Sequence, residues 1–164
     1  MRPLSRSLEA QVLALCARPA PYRIEARPLD HGAPATYNDL LASVESIRCA
    51  RSGALVGQRI PVWSGASDRT IWSSPGSNHL FLAWHDSVHI LLDAEFDPRG
   101  ERRVAEYQCA MIDGAAERAV LWAETEGQQG YRARWGSYPA DQRSFVRDCI
   151  VYGLARSIDR GIYL

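Results

Sequence analysis

One stretch of the chain, from Asn78 to Ala94, restricts the fold more than any other because its side chains repeat with helical spacing. With residues placed about 100° apart around a helix axis, the large apolar side chains occupy one arc. The neighbouring arc, about 120° wide, holds His79, His85, Asp86, His89 and Asp93. We therefore expect a helix that buries one side in a core and carries imidazoles and carboxylates beside it.

The polar arc of this helix differs from an ordinary solvated face, which is rich in charged and amide side chains. No arginine occurs in it, whereas three of the chain's four histidines do. His85 and His89 are four residues apart, so their rings lie on the same side of adjacent turns and can bind one ion. Asp86 offers a carboxylate, and Glu101 can return to the pair from the start of the next helix. We predict a divalent-metal site with four ligands: His85, Asp86, His89 and Glu101.

The predicted donors are imidazole nitrogens and carboxylate oxygens. This combination suits zinc best and also iron or manganese. Four other side chains are weaker candidates: His79, Asp93, Glu124 and Glu126. The first two either orient a histidine or lie in solvent. The two glutamates either complete the site or support a second ion, although a pair of glutamates on a helix is more often a surface feature.

The pattern along the rest of the chain predicts a mainly α-helical fold, a single compact bundle of five to six helices over residues 1–164. The predicted helices run from Ser7 to Ala17, from Thr36 or Asn38 to about Arg51, from Asn78 to about Glu95, from Asp97 to Gly114, from Ala115 to about Gln129, and from Asp141 to about Arg160. Residues 19–34 are expected to form a loop. A small irregular or hairpin segment is expected near residues 58–73, with a turn at residues 64–68.

The charged residues exclude several classes of function. All nineteen basic residues are arginine, since the chain contains no lysine, and reactions that need a lysine amine are therefore excluded. Such arginine usage is typical of GC-rich bacterial genomes. Nineteen acidic residues cancel the arginines, so charge gives no indication of binding to nucleic acid or to an anionic membrane. No apolar run approaches the length of about eighteen residues that a membrane span needs.

The cysteines and the amino terminus predict a cytoplasmic location. Four cysteines lie far apart and form no C-x-x-C pair: Cys16, Cys49, Cys109 and Cys149. Because their neighbours are mostly apolar, we interpret them as structural thiols. The chain also begins without a signal-peptide pattern.

The predicted ligands form a longer motif, H-D-x-x-H-x11-E, from His85 to Glu101. This motif resembles that of the fourth coenzyme Q (ubiquinone) biosynthesis protein family, in residue identity and in spacing. The resemblance covers residues 85–101. It implies an α-helical protein with zinc held by His85, Asp86, His89 and Glu101, and a role in ubiquinone synthesis associated with processing of the quinone-precursor head group.

Three functions are compatible with such a site. In a metal-dependent enzyme of the hydrolase or lyase class, an open coordination position would hold a water molecule of lowered pKa, ready to attack a small-molecule substrate. In a non-catalytic accessory or binding protein, a structural ion would have a filled shell of four ligands. The third reading is a metal phosphohydrolase of the HD type, with His31 and Asp113 as added ligands, although their spacing does not support it. A peptidase is disfavoured because Asp86 replaces the glutamate base that follows the first histidine in such enzymes.

Overall fold

The computed structural model describes residues 2–65 and 69–163. Within them the predicted all-helical bundle is wrong, because a three-stranded mixed sheet accompanies eight α-helices and a π-helical segment. The helices are α1 (Arg6–Cys16), α2 (Tyr37–Ser43), α3 (Pro75–Leu92), α4 (Pro98–Ala110), α5 (Ala115–Trp122), α6 (Gln128–Trp135), α7 (Gln142–Tyr152) and α8 (Leu154–Asp159). The strands are β1 (Ile24–Leu29), β2 (Glu45–Arg48) and β3 (Leu55–Trp63).

The sheet has the order β1-β3-β2, with β1 parallel and β2 antiparallel to β3. Residues 19–34, predicted to be a loop, contain β1. Pro28 is tolerated there because β1 is an edge strand, where a missing N–H need not break a ladder. Pro61 is tolerated in the central strand because β2 pairs only with residues 55–59 of β3. At Pro61, therefore, β3 has a neighbour on one side only.

The second predicted helix is shorter than expected. Thr36 caps α2 as predicted, since its hydroxyl accepts a hydrogen bond from the Asp39 N–H at 3.1 Å. The helix ends at Ser43, however, and the next residues form β2, which pairs with β3. This pairing overrides the helical spacing. The predicted hairpin near residues 58–73 is also wrong. Strand β3 pairs with β1 and β2, and residues 70–72 form no strand. The predicted turn includes residues 66–68, which lie outside the described residues.

The later helices follow the predicted order with different breaks. The helix predicted to continue from Ala115 to Gln129 is interrupted by the π-helical segment, Ala123–Gly127. The last predicted helix is divided at Gly153, whose φ of 90° ends α7. Helix α4 ends at Ala110 rather than at Gly114. None of these breaks alters α3 or the start of α4, where the predicted ligands lie.

Helix α3 lies between two groups of buried side chains. On one side Ala83 packs with Leu40 of α2 and with Ile60 of the sheet. On another side Trp84 and Val88 join the larger helical core. Burial on more than one side fixes the rotation of α3 about its axis, and so fixes the direction of its histidines. Among the described residues, no helix combines the length and the apolar character needed to cross a membrane.

Candidate metal centre

Two helix ends position the site. Helix α3 ends in a tight turn where Asp93 adopts the left-handed conformation, with φ 48° and ψ 57°. A few residues later, Asp97 caps α4 by accepting a hydrogen bond from the Gly100 N–H at 2.7 Å, and Pro98 is the first residue of the helix. The cap places Glu101 in the first turn of α4, directly against α3. The short connection between these two contacting helices thus brings a carboxylate to the histidines.

Three of the four predicted ligands converge. The Nε2 atoms of His85 and His89 are 3.2 Å apart. The Oε2 atom of Glu101 lies 3.2 Å from the first of these nitrogens and 3.6 Å from the second. These three residues form the one group of described His, Cys, Asp and Glu residues whose ligand atoms meet in this way.

The spacing of the three donor atoms fits a small divalent ion. Zinc binds imidazole nitrogen and carboxylate oxygen at about 2.0–2.2 Å, so tetrahedral ligands around it lie about 3.3–3.6 Å from one another. The observed separations of 3.2, 3.2 and 3.6 Å are close to this range. The cluster therefore needs little rearrangement to hold an ion.

The other nitrogen of each imidazole is also engaged. His89 Nδ1 lies 2.9 Å from the backbone carbonyl oxygen of Ala94, and His85 Nδ1 lies 3.0 Å from Oε1 of Gln108. A carbonyl oxygen can only accept, so Nδ1 of His89 carries the hydrogen. In its neutral form that ring then directs the Nε2 lone pair at the cluster. Metal-binding histidines characteristically have such a partner on the opposite nitrogen.

The charges of the cluster favour a cation among its donors. Burial alone would lower the pKa of His85, but the hydrogen bond and the negative charge of Glu101 raise it to about 9. Burial alone would raise the pKa of Glu101, yet hydrogen bonds and charge from His85 and His89 hold it well below its usual range. The three side chains thus stabilise positive charge at one point. A divalent ion supplies that charge when it replaces a proton.

Asp86, the fourth predicted ligand, is partly buried next to His85 but does not belong to the converging group. Burial raises the pKa of its carboxyl to about 6, although the two histidines partly oppose this effect. Its position has a simple helical reason. The residue after His85 is turned about 100° around the axis, so its side chain leaves the helix in another direction.

The side chains of the cluster are largely shielded from solvent. The side chain of His89 is fully buried, while His85 and Glu101 keep 15% and 12% of their side-chain surfaces exposed. The protein therefore encloses most of the cluster.

The weaker candidates lie elsewhere. Asp93 accepts a hydrogen bond from the hydroxyl of Tyr37 at 2.9 Å, and His79 lies two turns before the cluster. Glu124 is buried in the π-helical segment, bonded to Gln128 at 2.7 Å, and Glu126 pairs with Arg102 at 3.6 Å. His31 and Asp113, the added ligands of the HD-type reading, occupy exposed positions outside the group.

Three groups that contact the histidines were not predicted from the sequence. Gln108 follows Glu101 by seven residues, or two helical turns, so the same face of α4 carries both; this spacing was a usable signal. The Ala94 carbonyl gave no signal, because its direction depends on the left-handed turn at Asp93. Phe96 packs edge-on against the ring of His89, with centroids 4.7 Å apart.

The donor set defines what the centre can bind. Two imidazole nitrogens and one carboxylate oxygen suit zinc, iron or manganese, so the donors by themselves do not select one metal. The chain matches no protein-family model, no curated protein and no solved structure.

Proposed function

We propose that the protein binds one divalent metal ion through His85, His89 and Glu101 and uses it as a metal-dependent enzyme of the hydrolase or lyase class. The observation that carries this proposal is the convergence of two Nε2 atoms and one Oε2 atom within 3.6 Å of one another. Zinc is the first choice of metal, because its preferred coordination is tetrahedral and its ligands are of these types.

The number of converging side chains favours catalysis over a structural ion. Structural zinc sites are usually closed by four protein ligands, whereas catalytic sites use three and keep a position for water or substrate. Three donors meet here, and the side chains of His85 and Glu101 keep 15% and 12% of their surfaces exposed. A bound divalent ion would supply Lewis acidity and a water molecule of lowered pKa. The chain's own contribution would be to fix three donors and to leave a fourth coordination position for water or substrate.

The resemblance of residues 85–101 to the fourth coenzyme Q biosynthesis protein family suggests which substrates to assay first. Small aromatic compounds of the quinone-precursor type, with the head-group substituents of such precursors, are the first class. Simple ester and phosphoester substrates are the second class, because they report hydrolysis in general.

A structural ion in a non-catalytic accessory protein is the second candidate function. The complete burial of His89 favours it, and so does the nearby carboxylate of Asp86, which would close the shell as a fourth ligand. The two functions differ in the role of Asp86. As a ligand it is required for metal retention, and as a neighbour it is not.

The test begins with the metal content of the purified protein after growth with zinc, iron and manganese. We expect about one ion per chain in the wild type, loss of the ion in His89→Ala, and retention in His79→Ala, a matched control on the same helix. A wild type without metal under all three conditions would refute the metal site. Retention in His89→Ala would refute the ligand assignment.

The open position is tested on protein loaded with Co²⁺, whose visible absorption reports its coordination. Azide added to this protein is expected to change the spectrum by entering the accessible position, and Asp86→Asn is expected to retain the ion. If azide has no effect and Asp86→Asn loses the ion, the centre is closed and the structural function is the correct one.

A further inference from the structure

Gln108 is a fully buried residue whose side-chain amide has one hydrogen-bond partner among the described residues, a proposed metal ligand. Its Oε1 atom lies 3.0 Å from Nδ1 of His85, and its side chain is completely inaccessible to solvent. Its Nε2 atom is buried and has no partner in the described part of the chain. The amide thus engages one group, the ring of His85.

The orientation of this amide decides how His85 can act. An oxygen facing the ring accepts a hydrogen from Nδ1, which leaves Nε2 free to bind an ion. An amide nitrogen facing the ring would donate to Nδ1 and force the hydrogen of the neutral ring onto Nε2. That second arrangement would point an N–H bond at the place where the ion must lie.

The unpaired Nε2 makes an amide a costly side chain to bury at this position. A buried N–H without a partner destabilises the fold, and an unbranched apolar side chain such as methionine would fill similar space without that cost. The polar head therefore has its use in the contact of Oε1 with His85. His89 has a backbone acceptor instead, the carbonyl of Ala94.

We propose that Gln108 is the positioning residue of the centre: it holds His85 in the form that carries hydrogen on Nδ1 and directs the Nε2 lone pair at the metal. This proposal rests on the proposed function and adds to it the residue that sets the affinity of the ion. Partners of this kind typically contribute 10- to 100-fold to metal affinity, so a loss of about that size is expected when the acceptor is removed.

The first test measures Zn²⁺ affinity by competition with a chelator in Gln108→Met. Gln128→Met is the matched control, since Gln128 is also a buried glutamine but bonds to Glu124. We expect about 10- to 100-fold weaker binding in the first variant and wild-type affinity in the second. Gln108→Glu restores an acceptor and is expected to bind Zn²⁺ at least as tightly as the wild type. Equal affinities in Gln108→Met and the wild type would overturn the proposal.

The second test observes the Nδ1–H protons of the Zn²⁺-loaded protein by NMR. The wild type is expected to show two such protons in slow exchange with water, from His85 and His89. Gln108→Met should lose the first and keep the second, which the backbone of Ala94 protects. A general loss of folding would remove both, so this pattern separates positioning from structural damage, and persistence of both signals would contradict the proposal.

An error in the proposed metal function and an error in the role of Gln108 would give different results. If the wild type binds no Zn²⁺, the proposed metal function is wrong. If the wild type binds Zn²⁺ and Gln108→Met binds it equally well, the metal function holds and the role of Gln108 is wrong. If Gln108→Met does not fold, Gln108→Glu decides: tight binding supports the acceptor role, and loss of the ion in a folded protein overturns it.

Discussion

The Nε2 atoms of His85 and His89 approach to 3.2 Å, with the Glu101 carboxylate beside both. Two neutral imidazoles that each carry hydrogen on Nδ1 would turn lone pairs toward each other at this distance. Such an arrangement is stable only with positive charge between the rings. The stability of this cluster therefore depends on charge compensation rather than on packing.

Zn²⁺ is expected to stabilise the folded protein, because the donors meet only in the folded state. At a free concentration one hundred times the dissociation constant, the ion adds about 2.7 kcal/mol, which corresponds to a rise in Tm of about 5–11 °C for a chain of this size. Differential scanning calorimetry with Zn²⁺ and with excess chelator measures the rise. The same experiment on His85→Ala should show no dependence on Zn²⁺.

Glu101→Ala should weaken metal retention much more than Glu124→Ala. Only the first carboxylate lies among the converging donors, whereas the second is bonded to Gln128. The expected loss in Glu101→Ala exceeds the roughly 10- to 100-fold effect of removing a group that merely orients a ligand. Metal content after dialysis against a weak chelator compares the two variants, and equal losses would show that Glu101 is not a ligand.

Gly100→Ala should destabilise the protein and weaken metal binding together. A methyl group at this position would overlap the backbone carbonyl oxygen of Glu95, so the turn before α4 must shift. Overpacking of this kind costs about 1–3 kcal/mol, and the shift displaces Glu101, the next residue. Chemical denaturation and Zn²⁺ titration measure the two effects.

Gly76→Ala is the control for that substitution. A methyl group there would meet its nearest neighbour, Oγ of Ser74, at an ordinary 3.8 Å. Alanine also favours a helix more than glycine does. This variant should be at least as stable as the wild type and should bind Zn²⁺ unchanged; a matching loss in both variants would contradict the role assigned to the turn.

Glu124→Gln should remove a dependence of stability on pH. Burial raises the pKa of this carboxyl from an ordinary 4.5 to about 8, so the folded protein holds a proton that the unfolded chain releases. The unfolding free energy of the wild type should consequently fall as the pH rises from about 5 to 8, by up to about 1.4 kcal/mol per pH unit. It should change little below that window.

Urea denaturation at several pH values measures this dependence in the wild type and in Glu124→Gln. The variant should be more stable than the wild type at pH 8 and should have the flatter profile. Glu106→Gln, in which an exposed carboxylate of α4 is changed, should keep the wild-type profile. Parallel profiles in the wild type and Glu124→Gln would show that Glu124 is ionised in the folded state.

The sequence predicted the site better than the fold, because the site depends on local spacing. The four-residue interval places His85 and His89 on one side of a single helix, and Glu101 follows in the first turn of the next helix, just after the Asp97 cap. Few residues of sequence therefore separate the three side chains. Asp86 stays a predicted ligand only. It does not join the converging group, because adjacent residues of a helix point in directions about 100° apart. Gln108 could have been predicted from its seven-residue spacing to Glu101, but it was not.

The sheet could not be predicted in the same way because its pairings are distant in sequence. Ile24 lies beside Gln58. Residues 24–28 alternate between apolar and polar side chains, but their partner strand, residues 55–63, does not. Strand β2 has only four residues and follows a well-capped helix, so the local pattern favoured continuation of α2. The π-helical segment at Glu124 differs from an α-helix by a local change of hydrogen bonding, which helical spacing over a short stretch does not detect.

His85 and His89 should differ in their tolerance of mutations at their hydrogen-bond partners, because the acceptor of His89 is a backbone group, the carbonyl of Ala94. Every residue type carries a backbone carbonyl, so exchanging the side chain at position 94 leaves the acceptor of His89 in place as long as the chain follows the same path. The acceptor of His85 is a side chain, and a single codon change at Gln108 removes it. Random mutation should therefore disable the centre through His85 and its partner more often than through His89.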